Sequence, residues 1–193
     1  MQPIVKARFE QFSDGVFAIA ITLLALELHA PEINSTTLAQ AAQEGIALLP
    51  TMFSFIISFI TIAIFWVNHH QLTHAITVIN RRRILWANMF FLLFLTLIPF
   101  VTQIVGRHPL NPISLLSYSL VLFGGSVSFS LVRLFIHKSI DEKSIPLRRS
   151  FFGPVVYLLA ATVSLASPWA CYALLIIPAL YYFLPKAHPH QSS

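Results

Sequence analysis

The feature that most limits what this chain can become is a series of long, nearly charge-free apolar runs, the cleanest at residues 84–105 and 112–135. A membrane-spanning helix needs roughly 20 mostly apolar residues, because the hydrocarbon core is about 30 Å thick and a helix rises about 1.5 Å per residue. Further runs at 10–29, 46–67, 150–167 and 169–185 bring the expected number of spans to six. The last two are short, and Ser167-Pro168 between them suits a tight turn, so the pair reads as two spans or as one re-entrant element. Pro50 marks the first turn of the second span or a kink in it.

Composition agrees with a lipid solvent. With 56% hydrophobic residues, 10% charged and a mean hydropathy of +0.76, the chain lies far from the balance of a soluble domain. The expected fold class is an all-α integral membrane protein, a single domain over residues 1–193 without a separate catalytic unit. The first apolar run carries Glu10 and Asp14 at its start and continues to Leu28, which reads as a retained span rather than a cleaved signal. Cys171 is the one cysteine, so no intrachain disulfide frames the fold, and it reads as a small packing residue.

A net charge of +5 raises nucleic acid as a partner, but the basic residues sit in connectors rather than on one patterned face. They read as topology signals. Lys6 and Arg8 precede the first span, and Arg81, Arg82 and Arg83 separate the second from the third. Arg133, Lys138, Lys143, Arg148 and Arg149 surround the connector between the fourth and fifth, and Lys186 follows the sixth. Arg107 alone falls on the other side, which places both termini in the cytoplasm. The outer loop from Ala30 to Gly45 carries Glu32 and Glu44 and no base, and includes the Asn34-Ser35-Thr36 sequon.

The first span holds the most chemistry. Arg8, Glu10 and Asp14 are costly near lipid and belong at its cytoplasmic end, paired or facing protein. Ile19, Thr22, Leu23 and Leu26 recur at i, i+3, i+4 and i+7 and so share one helix face, which either lines a pore or packs a bundle. Thr22 by itself reads as a packing hydroxyl bonded back to its own helix.

Arg8 followed by Phe12-Ser13-Asp14, with an apolar helix ending Leu26-Glu27-Leu28, resembles the signature of the transmembrane-protein-175 family of potassium channels. Phe65-Trp66-Val67-Asn68-His69-His70, Leu85-Trp86-Ala87-Asn88 and Ile98-Pro99-Phe100 are similar to that family's later blocks, so the likeness covers about the first hundred residues. It implies a potassium-selective cation channel, with six-span subunits forming a homotetramer around the first helices in a bacterial plasma membrane. Carried onto this sequence, the hydrophobic constriction falls on Ile19, Leu23 and Leu26, with Thr22 as the polar selectivity layer beside the Ile19 ring. Nothing matches the Thr-Val-Gly-Tyr-Gly filter, so the preference for potassium over sodium is expected to be modest.

Arg8, Phe12, Ser13 and Asp14 read as a structural network holding the inner end of the first span, with Trp66, His70 and Asn88 as partners from the next two. Glu27, near the outer end, either draws cations to the entrance or snorkels to the surface. His69, His70 and His74 invite a zinc reading, but no carboxylate or cysteine lies near them, and no metal or cofactor is expected. Enzyme motifs are lacking: there is no His-Glu-x-x-His and no Walker loop, and Gly124-Gly125-Ser126-Val127-Ser128 lacks the last glycine of a nucleophile elbow. The alternatives are a secondary or proton-coupled transporter using Asp14 and His70, and a non-conducting membrane scaffold or assembly factor.

Overall fold

Backbone hydrogen bonds cannot be left open in lipid, so apolar runs of this length close them internally as helices. The computed structural model describes residues 4–28, 37–74, 78–79, 82–140 and 150–183. Helices α1 (Lys6–Leu26), α3 (Leu49–His74), α4 (Arg82–Arg107) and α5 (Pro112–Ile140) are long and apolar enough to cross a membrane. They overlap the first four expected spans: α1 is shifted a few residues toward the start of the chain and α3 toward its end, while α4 and α5 run longer than expected. Glu32, the Asn34 sequon, Arg81, Lys143, Arg148, Arg149, Lys186, His188 and His190 lie outside the described residues.

Three details differ from the expectation. The outer loop contains a ten-residue helix, α2 (Leu38–Ala47), opened by Thr37, whose hydroxyl accepts a hydrogen bond from the Gln40 amide at 3.3 Å. No α2 residue is buried, and its Leu38 and Ile46 are exposed, as suits a helix lying along an interface. Second, α6 (Phe152–Val163) and α7 (Pro168–Phe183) are helical but have 12 and 16 residues. At about 1.5 Å per residue each is shorter than the hydrocarbon core. Third, the fold is not purely helical: β1 (Ile4–Val5) pairs antiparallel with β2 (Val78–Ile79), tying the start of α1 to the α3–α4 connector.

Local chemistry sets the boundaries. Pro50 stands in the first turn of α3, where its missing amide costs nothing. Asn111 caps α5, its Oδ1 accepting from the Ile113 amide at 2.8 Å, with Pro112 at the first helical position. Ser167 and Pro168 repeat that arrangement at α7, the Ser167 hydroxyl accepting from the Ala170 amide at 3.4 Å.

Side-chain bonds fix helix directions. Thr51 bonds Gly106, Ser58 bonds Thr102 and His69 bonds Asn88, so α3 and α4 run antiparallel. Ser13 pairs with Asn88 and Glu27 with Gln103, so α1 and α4 run parallel. In the interior the Ser58 hydroxyl lies 2.7 Å from Thr102 Oγ1 and 2.8 Å from Tyr118 Oη, joining α3, α4 and α5 where apolar lipid gives helices no hydrophobic reason to associate.

Gly124 of α5 exists for close approach: a Cβ there would overlap the Phe94 ring of α4. Gly124→Ala is therefore expected to destabilise the folded protein by about 1–3 kcal/mol through overpacking. Thermal unfolding in detergent measures this, and adding Phe94→Leu should recover most of the loss.

Candidate functional site: the first helix and its clamps

Helix α1 meets its own chain along Phe9, Ser13, Phe17, Ala20 and Leu24. These residues recur every three or four positions and form one buried face. The residues expected to form the constriction lie on another. Ile19 is 58% exposed, Leu23 39% and Leu26 73%, so three large aliphatic side chains are left uncovered by the chain's own core. Thr22 is exposed beside them, and its hydroxyl donates to the Ile19 carbonyl at 2.9 Å. With its proton committed to the backbone, the Thr22 oxygen can offer its lone pairs outward, as a cation ligand must.

A buried polar triad holds the N-terminal half of α1. Asn88 Nδ2 of α4 donates to Ser13 Oγ at 3.0 Å, and Ser13 Oγ donates to the Phe9 carbonyl at 2.9 Å. Asn88 Oδ1 faces His69 Nε2 of α3 at 3.0 Å. Because the Asn88 amide nitrogen already serves Ser13, its oxygen must accept, which makes His69 Nε2 the protonated ring nitrogen. The triad is sealed by aromatic rings: Phe9 and Phe91 stack on the His69 ring at centroid distances of 5.9 and 6.0 Å, and Phe17 lies 5.6 Å away. Ser13 and Asn88 are fully buried, so every bond in the set operates without competition from solvent.

Asp14 and Trp66 form a separate, exposed pair, with Trp66 Nε1 donating to Asp14 Oδ1 at 3.0 Å. The Trp66 ring stacks on His70 at 5.7 Å, and His70 meets His74 edge-on at 4.7 Å. Among the described residues no hydrogen bond joins Asp14 to His70; Trp66 touches both. Arg8 and Phe12 are exposed and, among the described residues, lie outside both groups, while Lys6 pairs with Glu10 at 3.6 Å. No cluster of three or more His, Cys, Asp or Glu occurs among the described residues.

Two participants had no assigned partner in the sequence reading. His69 sits inward because Phe65, His69 and Leu72 continue the buried stripe of α3, a periodicity that separates it from outward-facing His70. Gln103 Nε2 donates to the Glu27 carboxylate, closing the C-terminal end of α1 onto α4. Beside that bond lies a cavity of about 110 Å³ lined by Glu27, Gln103, Thr51, Ser54, Thr102 and Arg107. Helix α1 is thus held at Ser13 and at Glu27, about 21 Å apart along its axis, and the aliphatic face lies between these two points.

Four long apolar helices joined by buried side-chain hydrogen bonds define a multi-pass integral membrane protein. Residues 8–99 match the family described as endosomal/lysosomal potassium channel TMEM175. A potassium channel of Chamaesiphon minutus is 30% identical over 92% of this chain and 93% of its own length. Another of Chryseobacterium sp. is 29% identical over 98% of both chains. The crystal structure of a lysosomal potassium-selective channel TMEM175 homolog from Chamaesiphon minutus superposes with a TM-score of 0.78 at 27% identity, covering 92% of this chain and 95% of that one. The chain belongs to the TMEM175 family.

Proposed function

We propose that this protein is a potassium-permeable cation channel of the bacterial plasma membrane, a homotetramer in which one α1 from each copy surrounds the axis. Both termini are cytoplasmic, and the whole chain forms one channel unit. The observation that carries this reading is the uncovered aliphatic face of α1: Ile19, Leu23 and Leu26 stand exposed on a helix that packs a different face, Phe9 to Leu24, against its own chain. Four copies of such a face around one axis form a constriction narrow and apolar enough to expel water, which is a hydrophobic gate. The names of the relatives, potassium channels in two bacteria, support the choice of ion.

Selectivity falls to the Thr22 layer. Its hydroxyl oxygens supply a few weak ligands to a partly dehydrated ion, so discrimination against sodium is modest. Thr22→Val keeps the shape and removes the oxygen. Under opposed potassium and sodium gradients, the reversal potential of the variant should move toward the value of a non-selective pore while conductance persists. An unchanged reversal potential would place selectivity elsewhere, and failure of the unmodified protein to carry potassium would remove the channel reading itself.

At the inner end, the Ser13–Asn88–His69 triad sets the position of α1 relative to its own bundle, with Asp14 and Trp66 as a weaker exposed contact. Opening then needs a small rotation or dilation of α1 between the Ser13 and Glu27 anchors.

A further inference from the structure

Helix α4 carries a second uncovered apolar stripe. Trp86, Phe90, Leu93, Leu97 and Phe100 follow one another at steps of four and three, the spacing of a knobs-into-holes seam. Trp86, Phe90, Leu93 and Phe100 are each more than half exposed, at 59, 56, 53 and 59%. The stripe is not used within the chain, because α4 turns Asn88, Phe91 and Leu95 toward its own core.

Helix α1 carries a matching stripe of small residues. Gly15, Ala18, Thr22 and Ala25, preceded by Gln11, follow the same steps and are all exposed. By the helical repeat this stripe lies about 80° around α1 from the centre of the Ile19–Leu23–Leu26 face, on the side away from the residues buried against its own α3 and α4. Gly15 is the sharpest sign. A mid-helix glycine costs about 1 kcal/mol relative to alanine, yet apart from its own stretch of helix backbone no atom of its chain lies within 4 Å of where its Cβ would be.

The two stripes are in register. The bonds Ser13–Asn88 and Glu27–Gln103 join residues 75 and 76 positions apart, so each α1 residue shares its membrane depth with the α4 residue about 75 further on. A rotation axis along the membrane normal keeps depth the same in every copy. Gly15 of one copy therefore meets the level of Phe90 in the next, Ala18 that of Leu93 and Ala25 that of Phe100, while Thr22, level with Leu97, stands at the edge shared with the pore face. At each level a small residue faces a large one.

We propose that the α4 stripe of one copy docks on the small-residue stripe of α1 in the neighbouring copy, and that this parallel seam is the contact that closes the ring of pore helices. The inference rests on the tetramer reading above and specifies its interface. A second copy fits better than lipid chains, since lipid adapts to any apolar surface and calls for neither the glycine nor the layer-by-layer match. Small residues are the means by which membrane helices approach closely. The seam adjoins the pore face, with Thr22 at the edge between them, so one helix packs on its own bundle, lines the lumen and receives the neighbour.

The test is cysteine pairing in membranes, in a Cys171→Ser background. Ala18→Cys with Leu93→Cys should give, on oxidation, a ladder from dimer to tetramer in non-reducing gels, stronger than either single variant. Ala18→Cys with Phe100→Cys, two turns out of register, should not. A tetramer still captured by amine cross-linking, but without the ladder for the matched pair, overturns the seam and leaves the stripe to lipid while the channel reading stands. A monomer in the same amine cross-linking would remove both. Independently, Ala18→Phe should abolish the tetramer, and Leu93→Ala added to it should restore assembly; normal assembly of Ala18→Phe alone would also overturn the seam.

Discussion

Replacing Ile19 or Leu23 with alanine is expected to raise resting potassium flux by about tenfold or more, since lowering a barrier by about 1.4 kcal/mol is sufficient for that factor. In the proposed tetramer the barrier is a dewetted constriction whose height depends on the apolar bulk around the axis, and one substitution removes that bulk from four side chains at once. Because Ile19 and Leu23 are 58 and 39% exposed, neither substitution should open a cavity in the subunit core. Fold stability should therefore change little while flux rises. Potassium efflux from loaded vesicles measures the first quantity and thermal unfolding the second. Unchanged flux in a stably folded variant would remove this face of α1 from the pore.

The second large effect is expected at Asn88. Asn88→Leu fits the space but deprives the His69 Nε2–H of its acceptor and Ser13 of its donor. An interhelical hydrogen bond in a membrane protein is worth only about 0.6 kcal/mol on average, whereas an orphaned buried polar group costs about 1–3 kcal/mol. The second term decides, and a loss of about 2 kcal/mol in stability is expected, read as a lower unfolding temperature in detergent. Ser13→Ala should cost less, because the His69–Asn88 contact survives it. Asp14→Asn should cost less still, since its bond to Trp66 is exposed and solvent can replace it. If Asn88→Leu unfolded at the native temperature, the triad would not be what fixes α1.

The four long helices were legible in the sequence because lipid imposes length and polarity on a span directly, and no tertiary information is needed to see residues 84–105 or 112–135 as helices. The break at Ser167-Pro168 was legible as a turn, but its role in starting α7, like that of Asn111-Pro112 in starting α5, shows only in the capping bonds. Helix α2 was not, since Gln40, Gln43 and Glu44 keep its hydropathy near that of a loop, and its helical character lies in the Thr37 cap and an exposed amphipathic pattern. Nor were the lengths of α6 and α7, because hydropathy continues through Leu165 and Ala166 after the helix has ended in turns.

For the site, periodicity alone placed Ile19, Thr22, Leu23 and Leu26 on one face, and the resemblance in Phe12-Ser13-Asp14 supplied the word pore. Partner identities were a different matter. Ser13 and Asn88 are 75 positions apart and Glu27 and Gln103 are 76, so which polar groups meet depends on helix register and direction, information that exists only once α1, α3 and α4 are packed. His69 and His70 are adjacent in sequence, and one residue of rotation puts the first among aromatic rings and the second on the surface beside Trp66.

The most direct test of passive potassium flow through a pore lined by α1 is the current through purified protein in a planar bilayer under a potassium gradient. Discrete unitary currents that reverse near the potassium equilibrium potential, and whose amplitude or open time increases in Ile19→Ala, are the expected result. Saturable flux with counterflow and no unitary events, in wild type and in Ile19→Ala alike, would contradict it.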